Sequence, residues 1–148
     1  MTLTRVLTTA TLALALAACA HHRSEQHCDK PCSDCPDAEK KASFGRLSVQ
    51  EVSDLVAKDA ASVFDDNREE RFRQGHVPGA VWLAYDAVAA DKLPAEKDRT
   101  LVFYCANERC GACHKAADAA IALGYTKVFI MPAGIAGWEA AGLSVDKG

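Results

Sequence analysis

One cysteine stands where a thiol can act as a nucleophile. An apolar run, residues 100–104, leads into Cys105, and a short polar loop and an alanine-rich helix follow at once. We therefore expect Cys105 at the carboxyl end of a buried strand, facing the amino end of a helix. Backbone N–H groups and the helix dipole favour an anion there, and such a position lowers the pKa of a cysteine below its usual value of about 8.5. The pattern predicts a reactive thiolate at Cys105.

The chain carries seven cysteines. Apart from Cys19, they fall into two clusters of three, one near the amino end and one in the second half. The clusters are Cys28, Cys32 and Cys35, and Cys105, Cys110 and Cys113. Three thiols cannot all pair locally, so one in each cluster must stay free, bridge the clusters, bind a metal or be kept reduced. Cys110 lies five positions after Cys105 on a curled loop, which predicts that it acts as a resolving thiol.

The second cluster also contains a C-x-x-C-H sequence, formed by Cys110, Cys113 and His114. This sequence is typical of c-type haem attachment, and a C-x-x-C pair at a helix start is typical of thioredoxin-like redox sites. The simpler interpretation, which we favour, is that Cys113 and His114 are residues of a helix start. No cofactor is required in that case.

The amino-terminal cluster has ligands that soft metals prefer. The spacing of His27, Cys28, Cys32 and Cys35 would suit zinc or copper(I). A disulfide or free thiols in a flexible segment are the alternative, because Pro31 and Pro36 prevent regular structure here.

The alternation of helical and extended patterns predicts one parallel α/β domain. A Ser48–Glu51 capping box opens a helix that runs to about residue 59. Further helices are predicted over 115–123 and 135–141, and strands over 61–64, 80–83, 101–104 and 127–131. Strands without polar alternation, separated by helices, favour a parallel sheet covered on both faces, with sites beyond its carboxyl edge. The mixed charges of residues 69–73 predict a solvated face.

Composition limits the possible partners. The full chain has 148 residues, with 17 Lys and Arg against 20 Asp and Glu. No basic stripe or run is present, which argues against a nucleic-acid partner.

Three segments together resemble the rhodanese family of sulfurtransferases. Residues 64–67, continuing to 75–80, read F-D-D-N and G-H-V-P-G-A; the second segment is Tyr104-Cys105 followed by a helix ending at residues 123–125; the third reads A-G-I-A-G-W at 133–138. The resemblance covers residues 44 to about 145 and implies a rhodanese-like parallel sheet flanked by helices on both faces. We assign residues 44–148 to this domain.

The resemblance implies that Cys105 carries sulfane sulfur as a persulfide. It also implies a small sulfur-containing donor and a thiol acceptor. This chain departs from the family in its loop, which is longer, with Arg109 one place early and Cys110 at the usual arginine position. We expect Asn107, Glu108, Arg109 and Cys113 to line the loop and select the donor. The charge of Glu108 disfavours anionic donors, so low activity with thiosulfate is expected.

The amino end reads as a targeting segment. Residues 1–18 contain one Arg and an apolar stretch too short to span a bilayer, and they end in L-A-A before Cys19, which resembles a bacterial lipobox. That resemblance implies cleavage before Cys19 and a lipid on its sulfur, with an ordinary secretory signal as the alternative. Residues 19–43 would form a tether. We expect a lipoprotein facing the periplasm, on the outer membrane, which contacts the membrane through its lipid only.

Overall fold

The structure is a computed structural model that describes residues 43–148. The predicted signal peptide, Cys19 and nearly all of the tether lie outside the described residues. So do the predicted metal ligands His27, Cys28, Cys32 and Cys35.

Five parallel strands form one sheet in the order β1-β5-β4-β2-β3. The strands are β1 (Gly45–Arg46), β2 (Ala61–Asp65), β3 (Val81–Trp82), β4 (Thr100–Tyr104) and β5 (Val128–Met131). The helices are α1 (Val49–Ala57), α2 (Glu69–Gln74), α3 (Ala112–Ala122) and α4 (Gly134–Ala140). Each strand is short, and the two at the sheet edges contain only two residues.

Strand β4 lies in the middle of the sheet because both of its faces are apolar. Leu101, Val102, Phe103 and Tyr104 are fully buried. Leu101 and Phe103 pack with the alanine face of α3, and Val102 and Tyr104 pack with residues of α1 and α4 on the opposite face. The predicted α/β fold, a parallel sheet covered on both faces, is confirmed.

The helix starts follow local hydrogen bonding. At α1, the Ser48 hydroxyl accepts from the Glu51 amide at 3.3 Å and the Glu51 carboxylate accepts from the Ser48 amide at 2.8 Å, which is the predicted capping box. Helix α3 begins at Ala112, three residues before the predicted start. Its first turn therefore contains Cys113 and His114.

Two elements were not predicted from the sequence. Strand β1 is only two residues long and pairs with β5. Helix α2 lies within the mixed-charge run, and none of its residues is buried. The run does face solvent as predicted, but its acidic first turn and basic last turn also complement the helix dipole, which favours a short helix. Among residues 43–148, no helix has the length and apolar character needed to cross a bilayer.

Candidate active site

Cys105 follows the central strand directly and is 1% exposed. The amino end of α4 holds its backbone in place. The Ile135 amide donates to the Cys105 carbonyl at 2.9 Å, and the Ala136 amide donates to the Ala106 carbonyl at 3.1 Å. The carbonyls of Cys105 and Ala106 therefore both point toward α4, and these two bonds fix the start of the loop that follows β4.

Gly134 makes this contact possible. Its φ of +60° lies in the left-handed region, and a Cβ atom placed on it would lie 2.3 Å from the Cys105 carbonyl oxygen and 2.7 Å from the Ala106 carbonyl carbon. Only glycine fits such a close approach of two backbones. The glycine of the third sequence segment is therefore needed to seat the cysteine loop.

The three cysteines of the second cluster come together. The Cys105 thiol lies 3.4 Å from the Cys113 sulfur and 3.3 Å from the Cys110 carbonyl oxygen. Cys113 is the second residue of α3 and is also 1% exposed, whereas Cys110 is half-buried in the loop. His114 adds an imidazole nitrogen 3.6 Å from the Cys113 sulfur.

The geometry corrects the prediction of a low pKa at Cys105. Donation of its S–H to Cys113, together with burial, raises the pKa of Cys105, and acceptance of that hydrogen bond lowers the pKa of Cys113. Cys113 also lies at the helix amino end, which favours a thiolate. The sequence predicted the lowered pKa at the strand end, but it is found at Cys113, in the first turn of the neighbouring helix.

Cys110 is the outermost thiol of the three. Burial, followed by a hydrogen bond with Cys105, raises its pKa. Its half-buried position places it between solvent and the two enclosed sulfurs. It is near Cys105, as predicted, but Cys113 contacts Cys105 as well, and this second contact was not foreseen because the helix was expected to begin later.

The predicted donor-selecting residues divide into two groups. Asn107, Glu108 and Arg109 line a cavity of about 460 Å³ between the loop and α4, and the Asn107 side chain accepts from the Arg109 amide at 3.0 Å. Cys113 does not line this cavity and packs in the core instead. Among residues 43–148, no group of three or more His, Cys, Asp or Glu side chains is arranged to bind a metal ion.

Comparison with known proteins agrees with this architecture. The family model described as "Rhodanese-like domain" matches residues 48–141. The chain belongs to the rhodanese-like family. Its members include sulfurtransferases.

Several relatives share this domain. The uncharacterized protein YibN of Escherichia coli K12 is 28% identical over 101 residues, which cover 66% of this chain and 69% of that protein. A thiosulfate sulfurtransferase, GlpE, of Pseudoalteromonas translucida is 24% identical over 98 residues, covering 66% of this chain and 91% of the relative. The crystal structure of the BH2092 protein of Bacillus halodurans superposes with a TM-score of 0.63 at 24% identity, covering 73% of this chain and 80% of that one.

The rhodanese-like domain has a buried polar network on the side of the sheet opposite Cys105. The Tyr104 hydroxyl donates to the Asp65 carboxylate at 2.7 Å and accepts from the Val77 amide at 3.0 Å. Burial raises the pKa of both Asp65 and Tyr104. The network ties the G-H-V-P-G segment to the central strands. His76 stacks on Phe72 and bonds the Phe72 carbonyl at 3.0 Å, which is a structural role rather than that of a base.

A second buried carboxyl, that of Asp66, lies on the same side as the thiols. Among residues 43–148, neither of its oxygens has a hydrogen-bond partner. Burial, followed by the charges of Cys105, Asp65 and Cys110, raises the pKa of Asp66 to about 9. No role for Asp66 was predicted, although an ionisable residue directly after a buried strand is a sequence signal for a site residue.

We expect Asp66→Asn to stabilise the protein, and increasingly so as the pH rises. The folded pKa of Asp66, about 9, exceeds the unfolded value of about 3.9, so between these values the folded state binds a proton that the unfolded state lacks. The contribution of this carboxyl to the free energy of unfolding is complete below pH 4 and falls by about 1.4 kcal/mol per pH unit until pH 9. Urea unfolding of the reduced proteins should show an advantage of Asp66→Asn that is about 4 kcal/mol larger at pH 8 than at pH 5.

The exposed Asp98 provides the matched control for this measurement. Asp98→Asn should show no such growth with pH. An advantage of Asp66→Asn that is equal at both pH values would contradict the shifted titration.

Proposed function

We propose that this protein is a sulfurtransferase that carries sulfane sulfur as a persulfide on Cys105. The observation that supports this most directly is the position of the Cys105 thiol at the end of the central strand, with the Cys113 sulfur 3.4 Å away. Two sulfurs at that distance share one proton readily. The relative from Pseudoalteromonas translucida named as a thiosulfate sulfurtransferase is consistent with this chemistry.

Sulfur loading begins with a proton transfer within the thiol pair. The Cys113 thiolate accepts the proton of Cys105, and the Cys105 thiolate then attacks the sulfane sulfur of the donor. The donor's remaining group leaves with the electron pair of its broken bond, and Cys105 holds the transferred sulfur. Because the two thiols are coupled, the pair is expected to titrate as a unit rather than as two separate groups.

Release uses the same pair. A thiol acceptor can take the outer sulfur directly, or Cys113 can attack the inner sulfur of Cys105 and expel hydrosulfide. The second route forms a Cys105–Cys113 disulfide, which an external thiol reductant then reopens. We assign the resolving role to Cys113 because its sulfur contacts Cys105 directly. Cys110, which the sequence suggested for that role, is half-buried and stands closer to incoming donors.

The loop suggests which donors are used. Glu108 and Arg109 both line the loop cavity, so a negative charge lies beside the Arg109 guanidinium that an anionic donor would use. We infer that polysulfides and persulfides of small thiols are better donors than thiosulfate. Anchoring through a lipid on Cys19 would place this activity on the periplasmic side of the outer membrane.

Peptide mapping after sulfur loading tests the proposal. The reduced protein, incubated with inorganic polysulfide, should gain one sulfur atom on Cys105, and thiosulfate should load it more slowly. Cys113→Ser should load slowly but retain its persulfide, whereas Cys110→Ser should load and release it. A sulfur found only on Cys110 or Cys113 would contradict the assignment.

A second function, thiol–disulfide exchange without sulfur transfer, is favoured by the same short sulfur–sulfur distance. In that case polysulfide and other oxidants would convert the parent protein to the Cys105–Cys113 disulfide. The Cys113→Ser variant, treated in the same way, would gain no persulfide. The mapping experiment therefore separates the two functions.

A further inference from the structure

Asp66 is an unusual residue to find beside a sulfur nucleophile. It is 4% exposed, and neither carboxyl oxygen has a hydrogen-bond partner within residues 43–148. An ionised carboxylate is strongly disfavoured in such surroundings. The neutral acid avoids that cost and has one O–H donor.

The strand register places Asp66 next to Cys105. Phe64 and Phe103 are register partners and stack at 5.2 Å on the α3 face of the sheet. The next pair, Asp65 and Tyr104, bonds on the opposite face.

One more bond of the ladder, from the Asp66 amide to the Tyr104 carbonyl at 2.8 Å, extends the pairing past the end of β2. Continuing the alternation of side chains by one residue past both strand ends puts Asp66 and Cys105 on the α3 face, and the two groups interact electrostatically.

The titratable groups nearest to Asp66 are acidic groups, which are negative when ionised and neutral when protonated. From its own strand it meets Asp65, from the loop Cys105 and Cys110, and from α3 Cys113. A cavity of about 310 Å³ also opens beside it. The titratable and charged residues lining that cavity are Arg68, Glu69, Glu70 and Tyr85. The cavity gives the carboxyl a route for proton exchange with solvent.

We propose that Asp66 is a catalytic acid that protonates the outer sulfur of the Cys105 persulfide as it leaves. This inference rests on the proposed function. The outer sulfur of a persulfide anion would otherwise have to depart as a sulfide dianion. The S–S bond extends the Cys105 side chain by about 2.05 Å, which offers an acceptor to the unused carboxyl donor.

The step balances in atoms and electrons. Cys113, which took up the Cys105 proton during loading, first releases that proton to solvent. Its thiolate then attacks the inner sulfur of Cys105, forming the Cys105–Cys113 bond and breaking the bond to the outer sulfur. The outer sulfur takes the electron pair of the broken bond and the Asp66 proton, and departs as hydrosulfide. The sulfane sulfur is reduced while the two cysteine sulfurs are oxidised to the disulfide. Asp66 becomes a carboxylate and regains its proton from solvent, and an external thiol reductant restores the dithiol.

Single-turnover release of hydrosulfide tests the proposal. The full chain is loaded with inorganic polysulfide, freed of excess reagent, and followed for hydrosulfide between pH 6 and 10. In the parent, release should decline above pH 9 as Asp66 ionises. Asp66→Asn should load the same amount of sulfur but release hydrosulfide about 100-fold more slowly. Its release rate should not decline above pH 9. Glu70→Gln, which neutralises an exposed carboxyl of the same cavity, should behave as the parent.

The outcomes separate this inference from the proposed function. A parent protein that gains no sulfur on Cys105 would overturn both. Normal loading of Asp66→Asn, followed by release at the parental rate, would overturn the role of Asp66 alone. An independent measurement is the carboxyl ¹³C shift of Asp66 in the reduced protein, which should titrate near pH 9; titration below pH 5 would also overturn it.

Discussion

Replacing Cys105 by serine should abolish persulfide formation, with sulfur transfer from polysulfide lowered by more than about 1,000-fold. Serine has nearly the same shape and keeps a donor toward Cys113, so the fold and the loop contacts with α4 should persist. An alcohol at this position does not form a persulfide. Intact mass after loading, together with the rate of sulfur transfer to a thiol acceptor, measures the effect.

The other two cysteines serve as comparisons for Cys105→Ser. Cys110→Ser and Cys113→Ser should both retain measurable loading, because each keeps the nucleophile. Equal unfolding curves for the three serine variants would show that the loss is chemical rather than structural. Loading of Cys105→Ser at the parental level would exclude Cys105 as the carrier.

Gly134→Ala should have the largest effect of any conservative change away from the thiols. A left-handed backbone costs a non-glycine residue about 1–2 kcal/mol, and the new methyl would lie 2.3 Å from the Cys105 carbonyl oxygen. The amino end of α4 must then move away from the loop. We expect the free energy of unfolding to fall by about 3 kcal/mol or more, and sulfur loading to fall with it, because the start of the loop loses its two hydrogen bonds to α4.

Gly142→Ala is the matched control for the cost of placing alanine in a left-handed backbone conformation. Gly142 has a φ of +73°, close to that of Gly134, but a Cβ atom there would meet nothing within 4 Å. It should lose only about 1–2 kcal/mol and keep its sulfur-loading rate. Equal losses in the two variants would show that the contact with the Cys105 carbonyl is unimportant. Urea unfolding and persulfide mapping, applied to both, separate these results.

The fold was predictable because its central elements carry strong local signals. The apolar strands and the Ser48 capping box each specify one local structure through neighbouring residues alone. Elements at the edges do not. The two residues of β1 become a strand only because β5 is there to pair with them, and α2 is a short helix without a buried face. Hydrophobic periodicity does not predict β1 or α2, because β1 is too short to show a period and α2 has no buried face.

The sequence predicted where Cys105 lies in the fold but not the direction in which its pKa shifts. The strand–loop–helix pattern placed Cys105 at the carboxyl edge of the sheet. Which of the two thiols has the lower pKa depends on a hydrogen bond across eight residues and on the first residue of α3, and hydrophobic periodicity specifies neither. Asp66 was missed for a related reason. Its proximity to Cys105 follows from the register between β2 and β4, which becomes visible only once the strands are paired.

The central position of β4 makes the strand before Cys105 intolerant of substitution, whereas the loop after Cys105 is free to vary. Strand β4, which precedes Cys105, pairs with β5 and β2 and is buried on both faces. Its residues therefore have little freedom to change. The loop of residues 106–111, where we propose that the donor binds, is bonded to α4 at its start and leads into α3 at its end. Laboratory evolution toward new sulfur donors should therefore concentrate its diversity in residues 106–111 and leave the scaffold untouched.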